Sequence, residues 1–451
     1  MGQRTALTHY LRYNGPVVID PPVSTSILDN GLRVTTVALP HLHTTTCALF
    51  IKVGSRFESP TDNGLSHFVE HMLFRGTEGY PNSLALNTAV EELGATLNAE
   101  TGRDYTLFSM SVEPDRVPAA LQIFAELLGR PRFSDIELER ALVLEEINED
   151  YDEHGIEVNA DDIARGMLFD GHPLGQRIIG PRENVERFTQ ADVQRHFETF
   201  YGAGNAILCV AGPVQHHDVI DYAMKSVAAL PRGPSALGGA IATPLTDHLF
   251  VGPQLRHVPD AGSQTSLAIV FRGMPELDPS YLAMATMLRI LDDGMSTRLH
   301  YQLADQKGLA YSIHAAIEPL ADVAVFEIAG ATANNKVAAL VTEIATVLRG
   351  LCAGDVTERE LAKARVRYRY ETLASIDDAG SMASWFGGTA LYYPPPSLSD
   401  RLASMQAVTL QDVVASARTV FAPDRLAIAA VGSLTKARLG ELRQAVQDWP
   451  K

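Results

Sequence analysis

The chain has 451 residues and a net charge of −17, with 46% apolar and 20% charged residues. At roughly 100–200 residues per domain this length calls for two to four domains, and the composition excludes wholesale disorder, a collagen-like repeat or a polar linker protein. A chain this acidic has no global attraction for nucleic acid or anionic lipid, and its three cysteines (Cys47, Cys209, Cys352) make neither a disulfide framework nor a CxxC metal site.

The opening stretch, MGQRTALTHYLRYNGPVVID, has no continuous apolar core of signal-peptide length, and apolar runs such as AILCVAG (206–212) are strand-length. A soluble cytoplasmic protein with no membrane partner is the expectation. The runs LRVTTVALP (32–40) and TCALFIKVG (46–54) read as strands. Next comes a helix carrying HFVEH (67–71), with Asp62 or Asn63 before Gly64 as its expected start and Gly76 as its stop. TLFSMSV (106–112) is a further strand, and SDIELERALVLEEINED (134–150) a second helix. A helix starting at Thr189 and Asp192 leads to the strand NAILCVAG (205–212). The segment LPRGPSALGGAIATPLTD (230–247), rich in Gly, Pro, Ser and Ala, reads as a linker between an N-terminal domain, 1–229, and a C-terminal domain, 248–451. Beyond it SLAIVFRG (266–273), VAVFEIAG (323–330) and RLAIAAVG (425–432) are strands among helices, so the fold class is α+β.

The two parts resemble each other. Thr189, Asp192, Tyr201 and Gly212 recur 220 positions later as Thr409, Asp412, Phe421 and Gly432. SDIELERA (134–141) recurs at an offset of 223 as TERELAKA (357–364), and both open with a capping-box pattern, Ser134…Glu137 and Thr357…Glu360. Two matches in one order indicate a duplicated domain.

HFVEH carries the chemistry. On a helix His67 and His71 lie one turn apart on one face, with Glu70 bordering it, and catalytic zinc wants about three protein ligands with an open position. A carboxylate is the common third ligand. Glu139 and Glu146, seven apart, share one face of the second helix, whereas Glu145, Glu149, Asp150 and Asp152 read as a solvated acidic face. Zinc would polarise a scissile carbonyl and acidify a bound water, Glu70 would serve as general base, and Glu139 is suited to support a histidine from behind. The second part lacks this set: LAMAT (282–286) stands where HFVEH would be, Glu139 becomes Ala362 and Glu146 becomes Arg369.

These stretches resemble the pitrilysin/insulinase family of inverted-zincin peptidases, in its short bacterial and mitochondrial-processing-peptidase-like branch. The most specific are GSRFESPTDNGLSHFVEHMLFRGTEGYPNS (54–83), GATLNAETGRDYTLFSMSV (94–112), ERALVLEEI (139–147), PLGQRIIG (173–180) and GMSTRLHYQLADQKGLAYSI (294–313). The resemblance implies two duplicated α/β-layer domains forming half of a clamshell. It also implies one zinc per chain on His67, His71 and Glu146, with Glu70 as base and Glu139 outside the ligand shell. It further implies that the strand Leu97, Asn98, Ala99, Glu100 and Thr101 holds an extended peptide by main-chain pairing. Tyr311 matches the substrate-holding Tyr of the family, but Ala304 stands where an Arg belongs, and the usual LGGG loop reads LDDG (291–294). The expectation is therefore the zinc-bearing subunit of a heterodimer whose second chain brings the Arg/Tyr pair. The alternatives are a self-sufficient homodimer and a non-catalytic scaffold subunit.

Overall fold

The computed structural model describes residues 20–238, 244–245 and 250–449. Runs rich in Val, Ile, Thr and Phe become β1 (Val23–Ile27), β2 (Arg33–Ala38), β3 (Thr45–Ile51), β4 (Asn98–Thr101), β5 (Thr106–Val112) and β6 (Ala206–Gly212), one sheet in the order β1-β2-β6-β3-β5-β4. A second sheet holds β7 (Gln254–Val258), β8 (Gln264–Gly273), β9 (Ser312–Pro319), β10 (Ala324–Ala333) and β11 (Leu426–Val431), in the order β7-β11-β8-β10-β9. Without β1 the two orders are the same. Each sheet has one parallel pair, β2 with β6 and β7 with β11, so the offsets seen in sequence mark a duplication of topology. Of the expected linker, residues 239–243 and 246–247 lie outside the described residues.

The first half carries helices α1 (Leu65–Leu73), α2 (Ser83–Glu91), α3 (Val117–Gly129), α4 (Ile136–Asn148), α5 (Ala160–Leu168), α6 (Arg182–Arg187), α7 (Gln190–Phe200) and α8 (His216–Ser226). The second carries α9 (Tyr281–Leu291), α10 (Val337–Ala353), α11 (Glu358–Ser375), α12 (Ala379–Ala383), α13 (Leu398–Ala407), α14 (Leu410–Val420) and α15 (Lys436–Gln447). Strand alternation sends Leu49, Ile51 and Phe108 to one face, against Phe68 of α1 and Phe124 of α3. Ile269, Phe271 and Phe326 repeat this against Met284 of α9 and Ile344 of α10. Among the described residues no single helix is long and apolar enough to cross a membrane.

The opposite faces are covered by exchange. Ile163, Ala164 and Leu168 of α5 pack on Ala268, Val270 and Ala429 of the second sheet. In return Ala379, Met382 and Ala383 of α12 pack on Ala48, Phe50 and Cys209 of the first. Both sheets are thereby buried on two faces, which is why β6 and β11 are unbroken apolar runs instead of alternating ones.

Helix starts show where local signals win or lose. The capping box closes at Thr357 and Glu360 on α11. At Ser134 and Glu137 it does not: α4 is preceded by Asp135 at φ 59°, with no side-chain bond to the helix amides. Phe133, only 2% exposed, is drawn into the core at φ 45°, and this bend leaves Ser134 outside the first turn while Glu137 pairs with Arg140. Nor do Asp62 or Asn63 cap α1. The residue before it is Gly64 at φ 100°, where a Cβ would meet the Ile179 carbonyl oxygen at 2.6 Å. The cap is supplied by buried Glu58, whose Oε2 accepts from the Gly64 amide at 2.8 Å and whose Oε1 accepts from the Ser66 amide at 2.6 Å. A carboxylate at the positive end of α1 both pairs orphan amides and meets the helix dipole. Glu58→Ala should therefore lower the unfolding free energy by roughly 3 kcal/mol, read as a shifted denaturation midpoint at constant slope. An unchanged midpoint would show that Glu58 does not hold α1.

Candidate metal centre

Helix α1 puts Leu65, Phe68, Val69 and Met72 into the core, and the 3.6-residue period leaves His67, Glu70 and His71 on its open side. The two imidazole centroids are 4.5 Å apart, and the Nε2 atoms face each other at 3.2 Å. Helix α4 is anchored by Val143 and Ile147 and crosses α1 so that Glu146 reaches both rings. Its Oε1 lies 3.6 Å from Nε2 of His67 and its Oε2 3.6 Å from Nε2 of His71. Among the described residues these three form the one His/Cys/Asp/Glu group whose ligand atoms converge.

The donor set fits a small divalent ion. Two ligand atoms held tetrahedrally at about 2.0–2.1 Å from one zinc ion lie about 3.3–3.4 Å apart, and the observed separations bracket that value. Glu139, 4% exposed, accepts from Nδ1 of His71 at 2.9 Å. Holding the proton on Nδ1 turns the Nε2 lone pair toward the site. Arg75, in the turn that follows α1, donates to the other oxygen of Glu139. Burial alone would raise the Glu139 carboxyl, but the bonds from His71 and Arg75 outweigh it and hold the group below the usual carboxylate range. Burial, helped by the neighbouring His71, pushes His67 down to about 3 and so keeps it neutral; its Nδ1 is buried without a partner among the described residues. For His71 burial is outweighed by the bond and charge of Glu139, so its titration moves up. Glu139→Gln should weaken zinc binding by about 10–100-fold, measured by competition with a chromogenic chelator; an unchanged affinity would remove Glu139 from the site.

Glu70 shares a cavity of about 440 Å³ with His67, Glu146, Ala99, Glu100 and Thr101. Its Oε2 accepts from the Thr101 hydroxyl at 2.5 Å. Burial raises the Glu70 carboxyl, and the Thr101 bond partly offsets this. Strand β4 ends its sheet, so one of its edges is unpaired beside this cavity. The strand begins at Asn98; Leu97, expected within it, precedes it and packs into the first core. Tyr311 is not brought to the cavity: it stands 90% exposed just before β9. Ala304 lies in a π-helical segment, Leu299–Gln306.

Of the acids read as a solvated face, Glu145 and Glu149 are exposed, whereas Asp150 and Asp152 are partly buried and engaged. Asp150 pairs with Arg177, which also reaches Asp162 at 3.2 Å and Glu157 at 3.5 Å, and Asp152 accepts from the amides of His154 and Ile156. Sequence reasoning missed Arg75, Arg177 and the side-chain role of Thr101. Only Arg75 left a signal, a cation four residues after His71.

Residues 33–182 match the family described as Insulinase (Peptidase family M16), and residues 187–368 match the family described as Peptidase M16 inactive domain. A Streptomyces coelicolor protein described as an uncharacterized zinc protease is 28% identical over 94% of this chain and 92% of its own length. A probable mitochondrial-processing peptidase subunit beta from Schizosaccharomyces pombe is 29% identical, covering 92% of each chain. The crystal structure of a protease from Helicobacter pylori, 22% identical, superposes with a TM-score of 0.84 over 92% of this chain and all of that one, a likeness of fold. The chain belongs to the insulinase family of peptidases, family M16, with the His67, His71 and Glu146 cluster in the first of two homologous domains.

Proposed function

We propose that the chain is a zinc-dependent endopeptidase of the HxxEH type, with one zinc held by His67, His71 and Glu146, cleaving peptides or unfolded segments. The observation that carries the reading is the convergence of two imidazole nitrogens and a carboxylate within 3.6 Å beside Glu70. Bound zinc supplies Lewis acidity, polarising a peptide carbonyl and lowering the pKa of water at the open position. The unpaired edge of β4 adds the substrate as a further strand, so that backbone bonds give affinity with little demand on sequence. Glu70, steadied by Thr101, takes the proton from the attacking water and returns it to the leaving amine nitrogen. Glu139 and Arg75 keep His71 in its orientation.

Within this reading the chain is the zinc-bearing subunit of a heterodimer. Ala304 offers no guanidinium, and Tyr311 is solvent-facing and apart from the metal cavity, which suits a chamber completed by another chain. A relative named as a subunit of a processing peptidase points the same way. The free thiols of Cys47, Cys209 and Cys352 suit a reducing compartment, the cytoplasm. The test is hydrolysis of a quenched fluorescent peptide by the chain alone and mixed with a second family-like subunit carrying the Arg. Activity that needs both chains, is lost to a chelator and returns with zinc is the expected result. Hydrolysis indifferent to the chelator would overturn the zinc reading, and full activity of the chain alone would overturn the heterodimer.

A further inference from the structure

The second half keeps the frame of the metal centre and reverses its charge. Helix α11 corresponds to α4 and α9 to α1, so Arg369 stands at the place of Glu146 and Thr286 at that of His71. The Thr286 hydroxyl lies 3.0 Å from Sδ of Met405, a buried residue of α13. Beside Met405 a cavity of about 270 Å³ opens between α11 and α13. Arg365 and Arg369 line it from α11, and Leu402, Ala403 and Gln406 from α13.

Arg365 and Arg369 are one helical turn apart, and like charges at that spacing repel unless an anion lies between them. Three carboxylates of the region are engaged elsewhere: Glu360 with Arg298, Glu371 with Arg289, and Asp293 with Arg289 and Arg367. Asp20 accepts from the Ser399 amide at 3.0 Å, at the start of α13, and is not part of the cavity wall. Among the described residues Arg369 has no hydrogen-bond or ion-pair partner. Arg365 donates from Nη2 to the Val408 carbonyl at 2.5 Å, closing the end of α13, while its Nε is buried without a partner among the described residues. Two guanidinium charges thus stand uncompensated in a chain of net charge −17.

We propose that this cavity binds a phosphomonoester, its phosphate shared by Arg365 and Arg369 and a small apolar substituent lying against Leu402 and Met405. Such a phosphate carries a charge of about −1.5 to −2 and three acceptor oxygens, which answers two guanidinium groups where a carboxylate answers one. The planar donor fork of arginine suits phosphate oxygens. The ligand is compact, since pockets for larger organic molecules measure about 300–1,000 Å³. The site rests on the duplication of the two halves and is independent of the peptidase reading. Where the first half gathers imidazoles and a carboxylate for a cation, the second gathers guanidinium groups for an anion.

The test is calorimetric titration of the full chain with phenyl phosphate and with inorganic phosphate, at an ionic strength held constant with chloride. Phenyl phosphate should bind at one site per chain, about tenfold tighter than inorganic phosphate because its ring leaves water. Arg369→Gln should weaken it by about tenfold or more, through loss of a charged hydrogen-bond donor. Ala403→Glu, which sets a carboxylate at the cavity wall, should weaken it at least as much. Arg369 and Ala403 are both exposed, and melting temperatures of the unliganded variants verify the fold. Absence of saturable binding would overturn the site, as would binding that survives both substitutions, which is the result expected if phosphate goes to the metal centre instead. Equal affinity for the two phosphates would overturn the assignment of an apolar substituent.

Discussion

Replacing Glu70 by Gln should lower peptide hydrolysis by about 10²–10⁴-fold while the folded chain keeps its zinc. The amide has nearly the shape of the carboxylate, and its oxygen can still accept from the Thr101 hydroxyl, so the side chain stays in place. What it loses is the ability to take a proton. Glu70 is not among the three convergent ligand atoms, His67 Nε2, His71 Nε2 and a Glu146 oxygen, so metal content is the internal control. The pair of measurements is initial rate and zinc per chain. A variant that hydrolyses peptides at near the parent rate would remove Glu70 as base; one that loses both activity and zinc would assign it to the metal shell.

Glu146→Gln should have the larger effect on metal. It removes the only carboxylate of the cluster, and the resulting fall in zinc affinity should exceed the about 10–100-fold expected for Glu139→Gln, which disturbs only the orientation of His71. Stability should change little, because the Glu146 side chain is nearly half exposed and α4 is anchored by Val143 and Ile147. The pH dependence follows from the histidines. His71 titrates above the usual histidine value in the metal-free chain, where the bond and charge of Glu139 outweigh burial. Zinc must displace that proton, so affinity should fall as pH drops through the His71 titration. His67, at about 3, stays neutral across that window and contributes no slope. Equal zinc in Glu146→Gln and the parent, by mass spectrometry after dialysis, would exclude Glu146 as a ligand.

The cluster was legible because its parts obey short periods. His67 and His71 are one turn apart and Glu139 and Glu146 two turns apart, so each pair shares a helix face whatever the tertiary structure does. The duplication was legible because whole strands and helix starts recur at fixed offsets. The exchange of α5 and α12 was not, since a short amphipathic helix announces that it will be buried but not against which sheet. The same limit explains the caps. A Ser134…Glu137 pattern is local, and the burial of Phe133 overrides it; the real cap of α1, Glu58, acts from outside the helix by a route no local pattern encodes. Thr101 reads in sequence as an ordinary strand residue, and only the packing of β4 beside α1 gives its hydroxyl to Glu70.

The most direct measurement is anomalous diffraction at the zinc edge from crystals of the dialysed, zinc-loaded chain. A single strong peak bonded to Nε2 of His67, Nε2 of His71 and a carboxylate oxygen of Glu146, at about 2.0–2.2 Å from each, is the expected result. No peak at this cluster, or a peak on other residues, would contradict the assignment of the metal centre.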